Sequence, residues 1–481
     1  MKVKRTGIVL RPDARRVFFR PFVPANEERI THVVARVMAL PEEAVQLELA
    51  QVLGEFDRRH HRLGDFLLKR FEQVRRYLLT DQAVSQARQM LIGAYFTQEY
   101  SVESAALFNP SMVWHPDQSD LPEGSRRFVL SLRATGEGHI SSITFRTGVI
   151  DADQHITISQ PTPFVTGPQI APNPSYEKVL FERKLAELGL FNDFAEAVLA
   201  ALEEFFTLRE LDARLQDALR HTQYNRSNQS TARGILSLAQ SNYEVIYTPE
   251  ARLSERIIFP STPAEINGIE DARFVEFRDD DGSASYYATY TAYDGSLILP
   301  QLLETADFTR FKISTLNGPA IQNKGMALFP RKINGLYAML SRQDNENLFL
   351  MYSAHIHFWY TKEILLKPTF PWEFVQIGNC GSPIETEAGW LVLSHGVGPM
   401  RKYVIGAFLL DLEDPSRVIG RLKEPLLTPD ENEREGYVPN VVYSCGGLIH
   451  GRELIIPYAM SDYASTFATV DLDELLAELT A

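Results

Sequence analysis

Cysteine is nearly absent. The 481 residues contain two, Cys380 and Cys445, and no CxxC pair. A disulfide framework is therefore excluded, and a reducing compartment is the expectation. Positive charge is also short: 48 Lys and Arg face 62 Asp and Glu, for a formal net charge of -14. An acidic chain is a poor partner for nucleic acid or an anionic membrane. No apolar run approaches the roughly 20 residues of a membrane helix. Residues 1–7 are basic but lack the apolar centre of a signal peptide. Neither GxGxxG nor GxxxxGK[ST] occurs, even around the glycine-rich residues 136–138, so those nucleotide loops are excluded. The expectation is a cytoplasmic chain with no nucleic-acid or membrane partner. The remaining composition, 44% hydrophobic and 23% charged, is that of a globular protein long enough for more than one folding unit.

The stretch around which the rest is arranged is residues 267–277, NGIEDARFVEF. An Asn-Gly turn signal opens it, the acidic pair Glu270 and Asp271 follows, and Phe274, Val275 and Phe277 supply β-forming bulk. A solvated turn is the bland explanation for such a pair. Two features weigh against it: Arg273 falls on the same side as Asp271 at a period of two, and aromatic residues crowd the neighbouring strands, as in pockets that hold sugar rings.

Elsewhere the chain changes character several times. Residues 1–27 read as basic and extended. From about 27 to 97 apolar residues recur at helical spacing, with Leu47, Leu49, Val52, Leu53 and Phe56 followed by Phe66, Leu67, Phe71, Val74 and Leu78. Short strands are expected near 108–113, 127–134 and 136–145, then a Pro- and Gly-rich linker near 159–174, then two helices over 176–188 and 192–220. From about 224 onward nearly everything reads as short antiparallel strands at intervals that suit a sandwich, barrel or propeller.

Several polar residues sit at strand ends or in adjoining loops, where β folds collect functional groups. Lys324, Arg342, Glu385 and His395 join Asp271 and Arg273 as candidates, although each alone reads as a surface charge or a satisfied hydrogen bond. Arg133 lies within an apolar strand and must be paired, either in a structural ion pair or with a polar substrate. His60 and His61 point apart on a helix, and His355 with His357 lacks a third ligand, so no metal site is expected.

Taken as a set, several segments resemble the signatures of glycoside hydrolase family 130: GIEDAR at 268–273, ALFPRKING at 327–335, SPIETEAGWL at 382–391, HGV at 395–397, EGYVPNVV at 435–442 and LLDLEDPS at 409–416. The resemblance covers about residues 223–481, with a weaker piece at FNP, 108–110, and LRA, 132–134. It implies a mainly β five-bladed propeller cleaving β-mannosides with inversion, using phosphate in some members and water in others. A helical N-terminal domain (1–100), first propeller strands (101–160), a helical insertion (161–222) and the rest of the propeller (223–481) follow from it. Asp271 matches the general acid, passing its proton through a sugar hydroxyl. Asn109, Arg133 and Asp462 match sugar-holding positions, and Lys324 and Arg342 two phosphate-holding ones. Glu385 falls where a third basic residue is usual, Gly325 replaces a usual Asp and Ala272 a common Pro.

Phosphate is a dianion that wants several Lys or Arg donors, and a carboxylate beside it is costly. Water needs a base, and inverting hydrolysis places that second carboxylate across the sugar. With Glu385 as base, the sequence leans to hydrolysis of manno-oligosaccharides. Phosphorolysis giving mannose 1-phosphate and a non-catalytic carbohydrate-binding propeller stay as alternatives. No cofactor is expected beyond phosphate as co-substrate in the second case, and a homo-oligomer is compatible with the sequence.

Overall fold

The computed structural model describes residues 2–78, 80, 82–221, 225–295 and 298–481. Strands dominate it and gather into five main antiparallel sheets. The first contains Ala106–Trp114, Arg126–Thr135, Ser141–Ile150 and Ile156–Ile158, with Ile257–Ile258 added at its far edge. The second runs in the order Ile269–Arg278, Ala284–Tyr293, Ile298–Thr305, Arg310–Thr315, Tyr243–Ile246, Gln169–Pro172. The third holds Lys324–Leu328, Tyr337–Arg342, Leu348–Ser353 and Glu363–Leu366. The fourth holds Gln376–Asn379, Ile384–Thr386, Gly389–Val397, Tyr403–Leu410 and Val418–Arg421. The fifth holds Val442–Tyr443, Leu448–His450, Glu453–Met460 and Ala464–Asp471, and its outer strand is Lys4–Leu10 from the start of the chain.

Strands buried on both faces need continuous apolar sequence, and Gly389–Val397, with every residue buried, reads that way. Each sheet shares a core with the next. Val129 and Phe145 of the first meet Phe274 and Tyr290 of the second. Val275 and Leu302 of the second meet Met326 and Met339 of the third. Leu340 and Leu350 of the third meet Trp390 and Phe408 of the fourth, and Leu391 and Leu409 of the fourth meet Leu454 and Ile456 of the fifth. Ile455 and Phe467 of the fifth then pack on Leu107 and Leu130 of the first, so the packing order returns to its start.

Apart from Leu472–Leu479 after the last strand, the α-helices enter as two inserts, each between two strands that pair with one another. Glu27–Met38, Glu42–Phe56, Leu63–Val74 and Gln86–Tyr95 lie between Val17–Pro21 and Thr97–Ser101. Lys178–Glu187, Asp193–Ala200, Leu208–His221 and Arg226–Gln240 lie between Gln169–Pro172 and Tyr243–Ile246. Paired flanking strands bring the ends of an insert together, so a long insertion leaves the parent sheet intact.

The second insert differs from the expectation in two ways. It has four helices rather than two, because Phe205–Phe206 returns to pair with Tyr176–Glu177 and breaks the expected 192–220 helix. It also runs on to Gln240: Ile235, Leu238 and Ala239 are buried, but the polar run Ser227-Asn-Gln-Ser230 ahead of them weakens the periodicity. The expected boundary at 222–223 lies outside the described residues. Among those described, no helix is long and apolar enough to cross a membrane.

Candidate active site

The first strands of successive sheets bring their polar residues to one cavity of about 240 Å³. Asn109 comes from the first sheet, Glu270 and Asp271 from the second, Lys324 from the third and Tyr443 from the fifth; Arg133, Arg342, Arg401, Tyr403 and Asp462 complete much of the wall. The local device is a β-bulge. Register shifts occur between Phe108 and Ser111, between Glu270 and Arg273, and between Lys324 and Ala327. Inside them Asn109 (φ 48), Asp271 (φ 54) and Gly325 (φ 86) adopt left-handed backbone, which Asn, Asp and Gly tolerate best. A bulge re-aims side chains that a regular strand would send to opposite faces. Glu270 and Asp271 therefore both reach the cavity, although strict alternation would separate them.

Asp271 is the most heavily held group. Asn109 Nδ2 donates to its Oδ1, Arg133 Nη1 lies 3.6 Å from that oxygen and Arg273 Nη2 lies 3.9 Å from Oδ2. Burial would raise the carboxyl, but Arg273, Arg133 and Lys324, with the Asn109 hydrogen bond, reverse this and hold it below the ordinary aspartate value. Arg273 is itself buried. It donates to the Cys380 carbonyl at 2.9 Å, the Asp271 carbonyl at 3.1 Å and the Tyr443 hydroxyl at 2.7 Å, so it braces the strand behind Asp271. Glu270 bridges Arg133 (3.0 Å) and Lys324 (3.6 Å).

Asp462 behaves oppositely. Burial first, and the nearby charge of Asp271 second, push its carboxyl up to about 6. Two carboxyls on one cavity are thus driven apart, the pattern that separates a charged from a proton-bearing role.

The cations are unequally engaged. Arg342 is buried, its Nη1 lies 3.5 Å from His395 Nε2, and its Nε has no hydrogen-bond partner. His395 cannot neutralise it: burial, then Arg342 and Arg273, hold the imidazole well below its ordinary value and so neutral at pH 7. Arg401 stands over the Tyr403 ring at 5.7 Å. Among the described residues neither Arg342 nor Arg401 has a carboxylate within salt-bridge distance. Asn109 Oδ1 and Arg133 Nε are likewise buried without partners, which suits a site that completes its hydrogen bonds with a hydroxyl-rich ligand.

Of the residues singled out from sequence, Asn109, Arg133, Asp271, Lys324, Arg342 and Asp462 line this cavity, while Arg273 and His395 support it from behind. Glu385 does not join them. Its carboxylate takes two hydrogen bonds of 2.9 Å from Arg331, and it borders a separate cavity of about 390 Å³ with Trp114, Phe274 and Glu276. Phe274 and Glu276 follow Asp271 by three and five residues on one strand, roughly 10–16 Å further along at about 3.3 Å per residue. Glu385 as the base facing Asp271 is corrected on that ground.

His355 and His357 fall in the turn after Leu348–Ser353 rather than on it. His60 and His61 engage Glu99 (2.7 Å) and Glu255 (3.5 Å). Sequence reasoning missed Arg401 and Tyr443. The signal for Arg401 was the Gly398-Pro399 turn directly after the His395 strand.

Comparison with known proteins identifies the family. The sequence profile described as beta-1,4-mannooligosaccharide phosphorylase matches residues 216–480. A 1,2-beta-oligomannan phosphorylase of Thermoanaerobacter sp. (strain X514) is 36% identical over 232 residues, 47% of this chain and 75% of its own. A beta-1,2-mannobiose phosphorylase of Listeria innocua is 31% identical over 229 residues, 46% of this chain and 63% of its own. The solved structure of a beta-1,2-mannobiose phosphorylase from Listeria innocua with beta-1,2-mannobiose covers 79% of this chain and 93% of that one, at 24% identity and a TM-score of 0.48. With a profile spanning more than half its length, over the segments that supply Asp271, Lys324, Arg342 and Asp462, the chain belongs to glycoside hydrolase family 130.

Proposed function

We propose that this chain is an inverting β-mannoside phosphorylase, with its five sheets as the blades of a propeller and the cavity at their first strands as the active site. The first blade is built from residues 106–158, the N-terminal strand completes the fifth, and the two helical inserts are additions to the ring. The carrying observation is charge: Lys324, Arg342 and Arg401 line the cavity of Asp271, two of them without a carboxylate partner among the described residues, while Glu385 is outside and tied to Arg331. Phosphate is the nucleophile that such a site accepts, since charge-assisted bonds are about twice as strong as neutral ones. The relatives named as phosphorylases support the same choice. The lean to hydrolysis depended on Glu385 and is given up with it.

In this reading Asn109, Arg133 and Asp462 hold the mannosyl unit. A phosphate oxygen on the Lys324 side bonds to the anomeric carbon as the bond from that carbon to the bridging oxygen breaks. The proton that the departing oxygen requires comes from Asp271 through a sugar hydroxyl, giving mannose 1-phosphate and a shortened acceptor. Asp271 is held ionised in the free site, so it must gain proton affinity when substrates bind. A phosphate dianion does this by cancelling part of the field of Lys324 and the arginines.

The test is product analysis. Manno-oligosaccharide incubated with the protein is expected to yield mannose 1-phosphate only when phosphate is present. Arg342→Ala and Arg401→Ala should each raise the KM for phosphate about 10-fold or more, from loss of a charge-assisted contact. Glu385→Gln should turn over normally. Free mannose released at a rate indifferent to phosphate would restore hydrolysis, and the absence of either product would favour a binding propeller.

A further inference from the structure

The cavity's rim carries a feature that the cleavage chemistry leaves unused. Tyr437 is 55% exposed, a large fraction for an aromatic ring, and the ring of His139 lies 5.7 Å from it at an angle of 31°. The Tyr437 hydroxyl is 3.4 Å from His139 Nδ1. His139 sits in the loop that follows the Arg133 strand of the first sheet. Tyr437 precedes Val438, which lines the cavity, and the Val438 amide is anchored to the Ser461 carbonyl at 3.0 Å, beside Asp462. Tyr463, 37% exposed, flanks the same turn. The pair thus joins the loop after the Arg133 strand of the first sheet to the segment that leads into the fifth, next to Val438 of the cavity.

Its position has a chemical meaning. The sheets pack in cyclic order, so the gap between the fifth and first lies opposite the third, which carries Lys324 and Arg342. In an inverting displacement the leaving oxygen departs on the face opposite the nucleophile. With phosphate on the third-sheet side, the remainder of the substrate leaves across Tyr437 and His139. An aromatic face packs on the apolar C–H face of a sugar ring while its hydroxyl reaches a sugar hydroxyl.

We infer that Tyr437 and His139 form the platform for the sugar units beyond the first on the leaving-group side of the cleaved bond, and that the chain therefore prefers manno-oligosaccharides longer than a disaccharide. This rests on the phosphorolytic reading for its direction. Two measurements on the full chain separate the two claims. The first is the ratio of kcat/KM for mannotetraose to that for mannobiose. Tyr437→Ala should lower it about 10-fold, the scale of one aromatic contact. Tyr437→Phe should keep most of it, and Tyr360→Ala, an exposed tyrosine beside Arg183 on the helical insert, should leave it unchanged. The second is calorimetric binding of both sugars to Asp271→Asn, which needs no turnover. Affinity should rise with chain length in that protein and lose the rise when Tyr437→Ala is added. An unchanged ratio and an unchanged increment in the Tyr437→Ala proteins overturn the platform, as does equal affinity for both sugars before Tyr437 is touched. A wild-type protein that yields no product from any mannoside fails the phosphorolytic reading instead, and the calorimetric comparison still decides the platform.

Discussion

Asp271 shows how far one residue's chemistry is set by its neighbours. A proton donor must carry its proton, and the free site withholds it: Arg273 and Arg133 lie within 3.9 Å and 3.6 Å of the carboxylate. Asp271→Asn keeps the shape and removes the titrating proton, so turnover of an unactivated mannoside should fall about 10²–10⁴-fold, the usual worth of general acid catalysis. Near-normal rates in the folded variant would reject the role. The pH dependence has a definite sign. An acid is lost as pH rises through its pKa, so the alkaline limb of the rate profile reports Asp271, and saturating phosphate should move that limb upward by weakening the cationic field. A limb at the same pH at low and saturating phosphate would mean that the anion does not sit near Asp271. Asp462, pushed up to about 6, should add a break near that pH, and Asp462→Asn should remove it.

At the scale of elements, the bulged first strand is the unit that makes the site. Gly325 is the tightest case: its φ is 86, and a Cβ there would stand 3.1 Å from the Arg342 Cβ, across the Lys324–Arg342 register pair. Gly325→Ala should cost about 1–2 kcal/mol for left-handed backbone and push Arg342 from its place. The check is a denaturant midpoint together with the KM for phosphate, and a change in stability without a change in phosphate affinity would separate Arg342 from the anion site. The bulges also explain what the sequence could and could not disclose. Apolar runs such as 390–393 betray strands directly, and the acidic turn at 270–271 announced the chemistry. A bulge leaves no periodic signal, so the joint entry of Glu270 and Asp271 was invisible. Arg401 was hidden because a turn, not a strand, delivers it. Glu385 was misplaced because position in a signature segment does not say at which end of a strand a side chain emerges. The helix at 226–240 was missed because its first turns are Ser, Asn, Gln and Thr and its apolar residues begin only at 232.

On the scale of the whole molecule, the N-terminal strand is stitched to the fifth sheet, beside the turn that carries Asp462. Lys4–Leu10 pairs with Ala464–Asp471, and Arg5 donates from Nε and Nη2 to Glu433, each at 2.9 Å. Glu433 is buried and also accepts from Tyr458 at 2.6 Å, while its carbonyl accepts from the Ser461 hydroxyl at 2.6 Å. Those bonds run from the first strand to the turn that carries Asp462. Burial would raise the Glu433 carboxyl, but the Arg5 and Tyr458 hydrogen bonds outweigh it and hold the group below its ordinary value of 4.5. A depressed folded pKa stabilises above the unfolded value and is lost as pH falls through the folded one. Arg5→Ala leaves the carboxylate facing Tyr458 without its cation. Because Arg5 is about one-third exposed, the cost at pH 7 should be about 1–3 kcal/mol, below the 3–5 kcal/mol of a fully buried broken pair. As pH falls below about 4.5 the carboxyl of the variant protonates and the difference from wild type should narrow. Urea unfolding of both proteins at pH 7 and pH 4 measures this, and a cost equal at the two pH values would show that Arg5 acts by strand packing rather than by its charge. The same variant should weaken mannoside binding, since Ser461 hangs from the Glu433 backbone and Asp462 follows it. A loss of stability at pH 7 with sugar affinity intact would uncouple the terminal strand from the site.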